Sequence, residues 1–354
     1  MTTSLPHIPG IRRVLVVGLG SIGRRHLRIA REVFTDAQFA VLRSGTLPAS
    51  VEDDTVTMLF SIEDALHFAP DLAVIASPAT CHAVVATQLA VAGVHLLIEK
   101  PLTDRLETAL ALQRVVAQAG VTCAVGYNLR YLASLMELRR AVLAGQIGRV
   151  MTVRSEVGQY LPDWRTGADY RTSVSARKEL GGGALLELSH ELDYLMWIFG
   201  DVTTVTATLS QLSDLEIDTD DTANLLLQFA PHDGAAAVLA SVSLDFARRD
   251  VTRRCTVVGT NGTLEWDGVR GTVRQFDAAT REWTMLCDAP PERDATYMAE
   301  WADLRACIET GHTPRAALEA GVAVLRVVEA ARRSSQSHRT VTLTSDGRLV
   351  LAEG

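Results

Sequence analysis

Two side chains stand out for the chemistry they could perform, Lys100 and His190. Only two of the 34 basic residues are lysines, Lys100 and Lys178. Arginine stays charged and does not readily exchange a proton near neutrality, so a lysine retained in so arginine-rich a chain points to a need for a titratable amine. Lys100 follows the apolar run VHLLIE, and His190 sits in GGGALLELSHELDYLMWIFG, residues 181–200. Read as one helix at about 100° per residue, Leu185, Leu188, Leu192, Leu195, Met196 and Phe199 share a face. His190 opposes them, with Glu187, Asp193, Tyr194 and Trp197 on its side. Such an imidazole suits exchange of a hydroxyl proton, with Glu187 or Asp193 orienting and charging it. Lys100 would then hydrogen-bond the reacting oxygen and stabilise charge there. Alternatively Lys100 itself carries the proton, since partial burial and neighbouring cations lower an amine's hold on it.

The elements that must position these groups begin at residue 13. RVLVVG, GLGSIGRRHLRIAREV and AQFAVLRSG read as strand, glycine turn with helix, and second strand. Gly18, Gly20 and Gly23 form G-x-G-x-x-G in the context that this motif demands: a tight turn, a close approach to a diphosphate, and a helix lying against a strand. About twenty residues on, where an acidic side chain would contact the ribose of NAD, the chain offers Leu42, Arg43 and Ser44. A guanidinium and a hydroxyl suit a 2'-phosphate, so NADP(H) is the preferred cofactor and NAD(H) a possible one. DLAVIAS ends at Ser77 and Pro78, and VHLLIE ends at Lys100 and Pro101. Ligands bind beyond the carboxyl ends of parallel strands, so both loops are expected beside the same crevice.

From residue 150 onward, β-rich runs such as TTVTATLSQL and AAAVLASVSLDF follow one another without regular helices between them, which predicts a mainly antiparallel sheet. The expected fold class is α/β, with a dinucleotide-binding domain over 1–126 and a second domain over 127–354. The loop YLPDWRTGADYRTSVSARKELGG, 160–182, is aromatic and basic. It could grip a polar or anionic substrate through Arg165, Tyr170, Arg171 and Lys178, with a sugar ring on Trp164 or Tyr170. A surface lobe or oligomer arm is the equal alternative.

The ordered set GLGSIGRRH, SPATCH, EKPLTD, GYNLRY, the glycine run before His190 and GTLEW resembles the Gfo/Idh/MocA oxidoreductases over almost the whole chain. The resemblance implies a Rossmann domain followed by an open, mainly antiparallel sheet domain. It also implies hydride exchange between a nicotinamide and a hydroxyl or ketone carbon of a sugar, amino sugar or cyclitol. Lys100 and His190 carry over as the catalytic pair. The family's usual carboxylate lies four residues before the histidine, where this chain has Leu186; Glu187 is the nearest substitute, and Asp193 matches the second acidic position. Ser21, Ile22, Ser77, Pro78, His82, Glu99 and Asn128 are implied cofactor contacts, beside the glycines, Arg43, Ser44 and Lys100. Tyr127, Arg130, Asp193 and Tyr194 are implied beside the substrate, with Lys100 and the loop residues. Some relatives instead cleave glycosides by transient oxidation on a tightly held NAD, and a dinucleotide-binding sensor without catalysis is a third possibility.

Composition narrows the rest. With 47% apolar residues the 354-residue chain can bury sizeable cores, and a formal charge of −8 offers no cationic field for a nucleic acid. The five scattered cysteines show no C-x-x-C pair, which fits a reducing compartment and gives no metal site. The span Ala73–Ile98 lacks Asp, Glu, Lys and Arg, but Ser77, Pro78 and Gly93 divide it into strand, helix and strand. Neither a membrane span nor an export signal is expected, so the cytoplasm is the expected location; the resemblance implies a second domain that serves in substrate binding and oligomer contacts, hence a homodimer or homotetramer.

Overall fold

The computed structural model describes residues 10–43, 55–164, 167, 169–231 and 236–352. The chain divides into two compact units. The first takes the residues up to Thr103, then Glu107–Gly126, and then Tyr297–Val322 from far along the chain; the second takes Asp104–Leu106, Tyr127–Thr296 and the residues from Ala323 onward.

The first unit is built on six parallel strands: β1 Arg13–Val17, β2 Gln38–Leu42, β3 Val56–Leu59, β4 Leu72–Ile75, β5 His95–Ile98 and β6 Cys123–Val125, in the order β3-β2-β1-β4-β5-β6. β1 and β4 are aliphatic and almost wholly buried along their length, as strands covered on both faces must be. The helices are α1 Ser21–Val33, α2 Ile62–Phe68, α3 Ala79–Val91 and α4 Leu106–Ala119. The order reverses between β1 and β4, which creates the crevice where doubly wound sheets bind ligands.

The second unit carries α5 Ala133–Leu143, α6 Ala184–Glu187 and α7 His190–Phe199. Its ten strands are β7 Val150–Gly158, β8 Val202–Ser210, β9 Thr222–Phe229, β10 Leu239–Asp245, β11 Thr252–Gly259, β12 Gly262–Asp267, β13 Thr272–Asp277, β14 Glu282–Asp288, β15 Val341–Leu343 and β16 Leu349–Leu351. They form one sheet in the order β14-β13-β12-β11-β7-β10-β9-β8-β15-β16, antiparallel except for the β7–β10 pair. β9 and β10 alternate buried and exposed residues, so one face meets the unit's core and the other is open.

Two helices complete the chain, α8 Ala295–Thr310 and α9 Leu318–Ser337. Trp301, Leu304 and Ile308 of α8 join the hydrophobic cluster of Val14, Val16, Ile29 and Val41 in the first unit. Burial of Leu304 and Ile308 contributes about 1.5–3 kcal/mol each, which explains why this late segment belongs with the early strands. The first unit is therefore not one continuous stretch. Among the described residues no helix is long and apolar enough to cross a membrane.

Candidate active site

The turn after β1 has the geometry of a diphosphate cradle. Gly18 adopts φ +89°, and a Cβ there would stand 2.9 Å from the Ala76 carbonyl oxygen. At Gly23 a Cβ would meet the Gly18 oxygen at 2.1 Å, so only hydrogen lets α1 lie so close to the turn. Gly20 differs: nothing stands within 4 Å of the position a Cβ would take. Its small size is not required by the protein's own packing. It leaves space immediately before α1, whose cap makes no side-chain hydrogen bond and whose first turn, beginning at Ser21 and Ile22, holds no acid. A helix start of this kind presents N–H donors and the positive end of its dipole to an anion. Beyond β4 the Ser77 hydroxyl is buried without a hydrogen-bond partner, a group that a bound ligand would satisfy. These features fit a nicotinamide dinucleotide.

Arg43 follows β2, half-buried, with its N–H donating to the Leu59 carbonyl at 3.0 Å. Ser44 lies outside the described residues. Pro78 caps the start of α3. Two residues expected beside the cofactor, His82 and Glu99, make buried contacts within the protein. His82 is 1% exposed, and its ring nitrogens lie 2.8 Å from the Ser77 carbonyl oxygen and 3.1 and 3.2 Å from those of Pro101 and Leu102. It ties the loop after β4 to the loop after β5. Burial pushes its pKa down, against the opposing pull of those carbonyls and of Glu99. Glu99 is also buried and reaches His26 of α1. Lys100 comes next, half-buried, two residues past the end of β5 at the carboxyl edge of the same sheet.

In the second unit Asn128 donates its amide to the Thr296 hydroxyl at 2.8 Å. Tyr127 is fully buried and stands edge-on to His190, with ring centroids 5.7 Å apart. Arg130 grips both carboxylate oxygens of Asp193, the shortest contact being 2.7 Å, with both residues buried. Burial pushes the Asp193 carboxyl up and the guanidinium pulls it back. The segment read as one helix is two: α6 ends at Glu187, a turn takes Leu188 and Ser189, and α7 begins at His190. His190 thus opens a helix rather than lying mid-face on one. Glu187 belongs to the preceding element, where it accepts a hydrogen bond from Ser175 at 2.9 Å. The side of α7 expected to be polar is largely core. Tyr194 is fully buried, its hydroxyl 2.7 Å from Ser155 and its ring against Trp266.

The 160–182 loop is stitched mainly to its own unit. Arg171 pairs with Asp169 and Glu216, the Tyr170 hydroxyl accepts the Glu216 N–H, and the Lys178 N–H donates to Asp218. Trp164 donates to the Gln159 carbonyl and stands edge-on to Phe246. Trp164, Asp169, Tyr170 and Ser173 border a cavity of about 160 Å³. Arg165 lies outside the described residues. The structure thus groups Gly18, Gly20, Gly23, Ser77 and Lys100 on the first unit, and Tyr127, Arg130, Asp193 and His190 on the second. Sequence reasoning missed His26 and Trp301. The histidine of GRRH falls on the buried face of α1, and that inward position was the available signal.

Residues 12–127 match the model of an oxidoreductase family with an NAD-binding Rossmann fold, and residues 135–265 match the GFO/IDH/MocA C-terminal domain. The chain belongs to the Gfo/Idh/MocA oxidoreductases. One curated relative is the D-xylose dehydrogenase of Paenarthrobacter nicotinovorans, 33% identical over 46% of this chain and 39% of that protein. The match therefore spans about two-fifths of that relative's length. The myo-inositol 2-dehydrogenase of Thermotoga maritima is 27% identical over 94% of this chain and 98% of its own. Among solved structures, the WlbA dehydrogenase of Bordetella pertussis in complex with NADH and UDP-GlcNAcA shares the fold. Its TM-score is 0.79, at 24% identity over 96% of this chain and 99% of that one. The Gfo/Idh/MocA architecture of a Rossmann-type sheet and a mainly antiparallel sheet is thus present in full.

Proposed function

We propose that this Gfo/Idh/MocA protein is an NADP(H)-preferring dehydrogenase or reductase acting on a hydroxyl or ketone carbon of a sugar, amino sugar or cyclitol. The observation that carries this reading is in the first unit: a glycine cradle with unfilled space at Gly20, and an amine, Lys100, at the carboxyl edge of the same parallel sheet. The nicotinamide, when bound, supplies a carbon that accepts or returns hydride. Lys100 donates a hydrogen bond to the substrate's reacting oxygen, while His190 takes the hydroxyl proton during oxidation and returns it during reduction. Tyr127 supports the imidazole from beneath, and the Arg130–Asp193 pair fixes α7 behind it.

The substrate class rests on relatives named for D-xylose and myo-inositol, two polyhydroxylated compounds. The same names support neither a glycosidase nor a sensor. A panel of sugars, amino sugars and cyclitols, followed by nicotinamide absorbance, tests the class. Lys100→Met and His190→Ala should each lower kcat on the best substrate by about a hundredfold or more; near-normal turnover in both would end this assignment.

The preference for NADP(H) rests on Arg43 standing where an NAD enzyme carries an acid. The KM for NADP+ should be at least about tenfold below that for NAD+, and Arg43→Ala should erase the difference, an ion-paired phosphate being worth about 1.5–3 kcal/mol. An equal or lower KM for NAD+ in the parent protein would overturn the preference.

A further inference from the structure

Behind Lys100 lies a buried polar chain that the proposed proton and hydride chemistry does not require. Glu99 is 8% exposed and His26 is fully buried. Glu99 Oε1 stands 2.7 Å from His26 Nε2, and Glu99 Oε2 accepts the backbone N–H of Lys100 at 3.1 Å. On the far side of the imidazole, the Trp301 indole N–H donates to His26 Nδ1 at 3.0 Å. An indole N–H can only donate. Nδ1 must therefore keep its lone pair, so the ring proton lies on Nε2 and is given to Glu99. A residue 275 positions along the chain thus sets the tautomer of this histidine. Tyr297, also of α8, stands edge-on to the same ring at 5.6 Å, and the Arg25 guanidinium lies over Tyr297.

Burying a carboxylate costs several kcal/mol unless it is paired and hydrogen-bonded. Burial alone would raise the Glu99 pKa, yet the His26 hydrogen bond, the charge of Lys100 and the Lys100 N–H together hold it below the usual range. A link that only joined α1 to α8 would need no ionised group, and apolar contacts would serve as well. An anion held here interacts electrostatically with Lys100, the next residue in the chain.

We propose that Trp301, His26 and Glu99 form a positioning device for Lys100, fixing its backbone through the amide and setting a negative charge that its amine feels. Trp301 and His26 act through Glu99, and Glu99 acts through Lys100. The inference deepens the reading of Lys100 as the residue that contacts the reacting oxygen, and it rests on that reading.

The scarcity of lysine makes a direct test possible. In a Lys178→Arg background Lys100 is the remaining lysine, and its labelling by trinitrobenzenesulfonate at fixed pH, located by peptide mass, reports the reactivity of its amine without any substrate. Glu99→Gln should speed this labelling by about tenfold or more, as expected on loss of an interacting negative charge. His26→Leu should do the same, and His26→Gln, which keeps a donor toward Glu99, should restore the parent rate. Trp301→Phe keeps the ring packing and removes only the indole N–H; in 15N spectra it should release His26 from the single tautomer protonated at Nε2. Labelling within twofold of the parent in Glu99→Gln, or equal rates in His26→Gln and His26→Leu, would overturn the proposal. If Glu99→Gln does not fold, the His26 and Trp301 variants decide in the same way. Lys100→Met distinguishes the two levels. Retained turnover in that variant defeats the catalytic reading and this inference with it, whereas lost turnover with unchanged labelling in Glu99→Gln defeats this inference alone.

Discussion

Glu99 is recognisable in the sequence, but its partner is not. EKP marks the position, but only the fold shows that the carboxylate turns inward to His26, because its partner on α1 is 73 residues away. The protonation of Glu99 has a definite sign. Although burial opposes it, the hydrogen bond from His26 and the charge of Lys100 leave its pKa in the folded state below the ordinary value. Such a group adds stability above the unfolded pKa, about 4.3 for a glutamate, and loses it as the pH falls through the folded value. Urea midpoints measured across acid pH should therefore drop more steeply for the wild type than for Glu99→Gln. Parallel curves would show that Glu99 carries no linked proton. The legible residues, Lys100, His190 and the three glycines, are those whose type alone restricts what they can do. The surroundings of Tyr194 and His82 were not legible, because burial and hydrogen-bond partners, not residue type, decide what such groups touch within the protein.

The β1, turn and α1 unit was readable because three constraints coincide there: a β-branched run, two glycines that packing demands, Gly18 and Gly23, and a helix of the right length. The α6 and α7 segment was not. Leucines recur at helical spacing through Leu188 and Ser189, and no glycine or proline marks the interruption. A distant residue fixes the start of α6, since Asp220 accepts the Ala184 and Leu185 N–H groups there. β3 escaped notice as a run of four, and β13 and β14 carry little of the apolar alternation that signals a strand, β14 being exposed over most of its length. The glycine turn supplies its own experiment. Gly20→Ala should fold with a melting temperature within a degree or two of the parent but bind NADPH at least about tenfold more weakly, because its methyl group enters only the space kept for a ligand. Gly23→Ala should lose stability by about 1–3 kcal/mol, as overpacking does, because its methyl group would collide with the Gly18 carbonyl. Equal losses of stability in the two variants would contradict this division of roles.

At the scale of the molecule, composition indicated the two-unit organisation and the strand patterns indicated the two kinds of sheet. The return of Tyr297–Val322 to the first unit was not legible, since α8 carries almost no segregated apolar face in its sequence and so names no partner. That return makes residues 1–126 incomplete as a folding unit. Expressed alone, this fragment should lack a cooperative thermal transition and should not bind NADPH, because Trp301, Leu304 and Ile308 are missing from its core. A sharp calorimetric peak with dinucleotide binding would show the opposite.

The discontinuity also has a consequence in time. A ribosome adding about 5–20 residues per second must synthesise the whole ten-stranded partner, apart from its last two strands, before α8 emerges. For many seconds the nascent nucleotide-binding half waits with an apolar flank uncovered. With the fragment behaviour predicted above, dinucleotide capture is expected only once biosynthesis is nearly finished, and an interrupted translation product is expected to bind none.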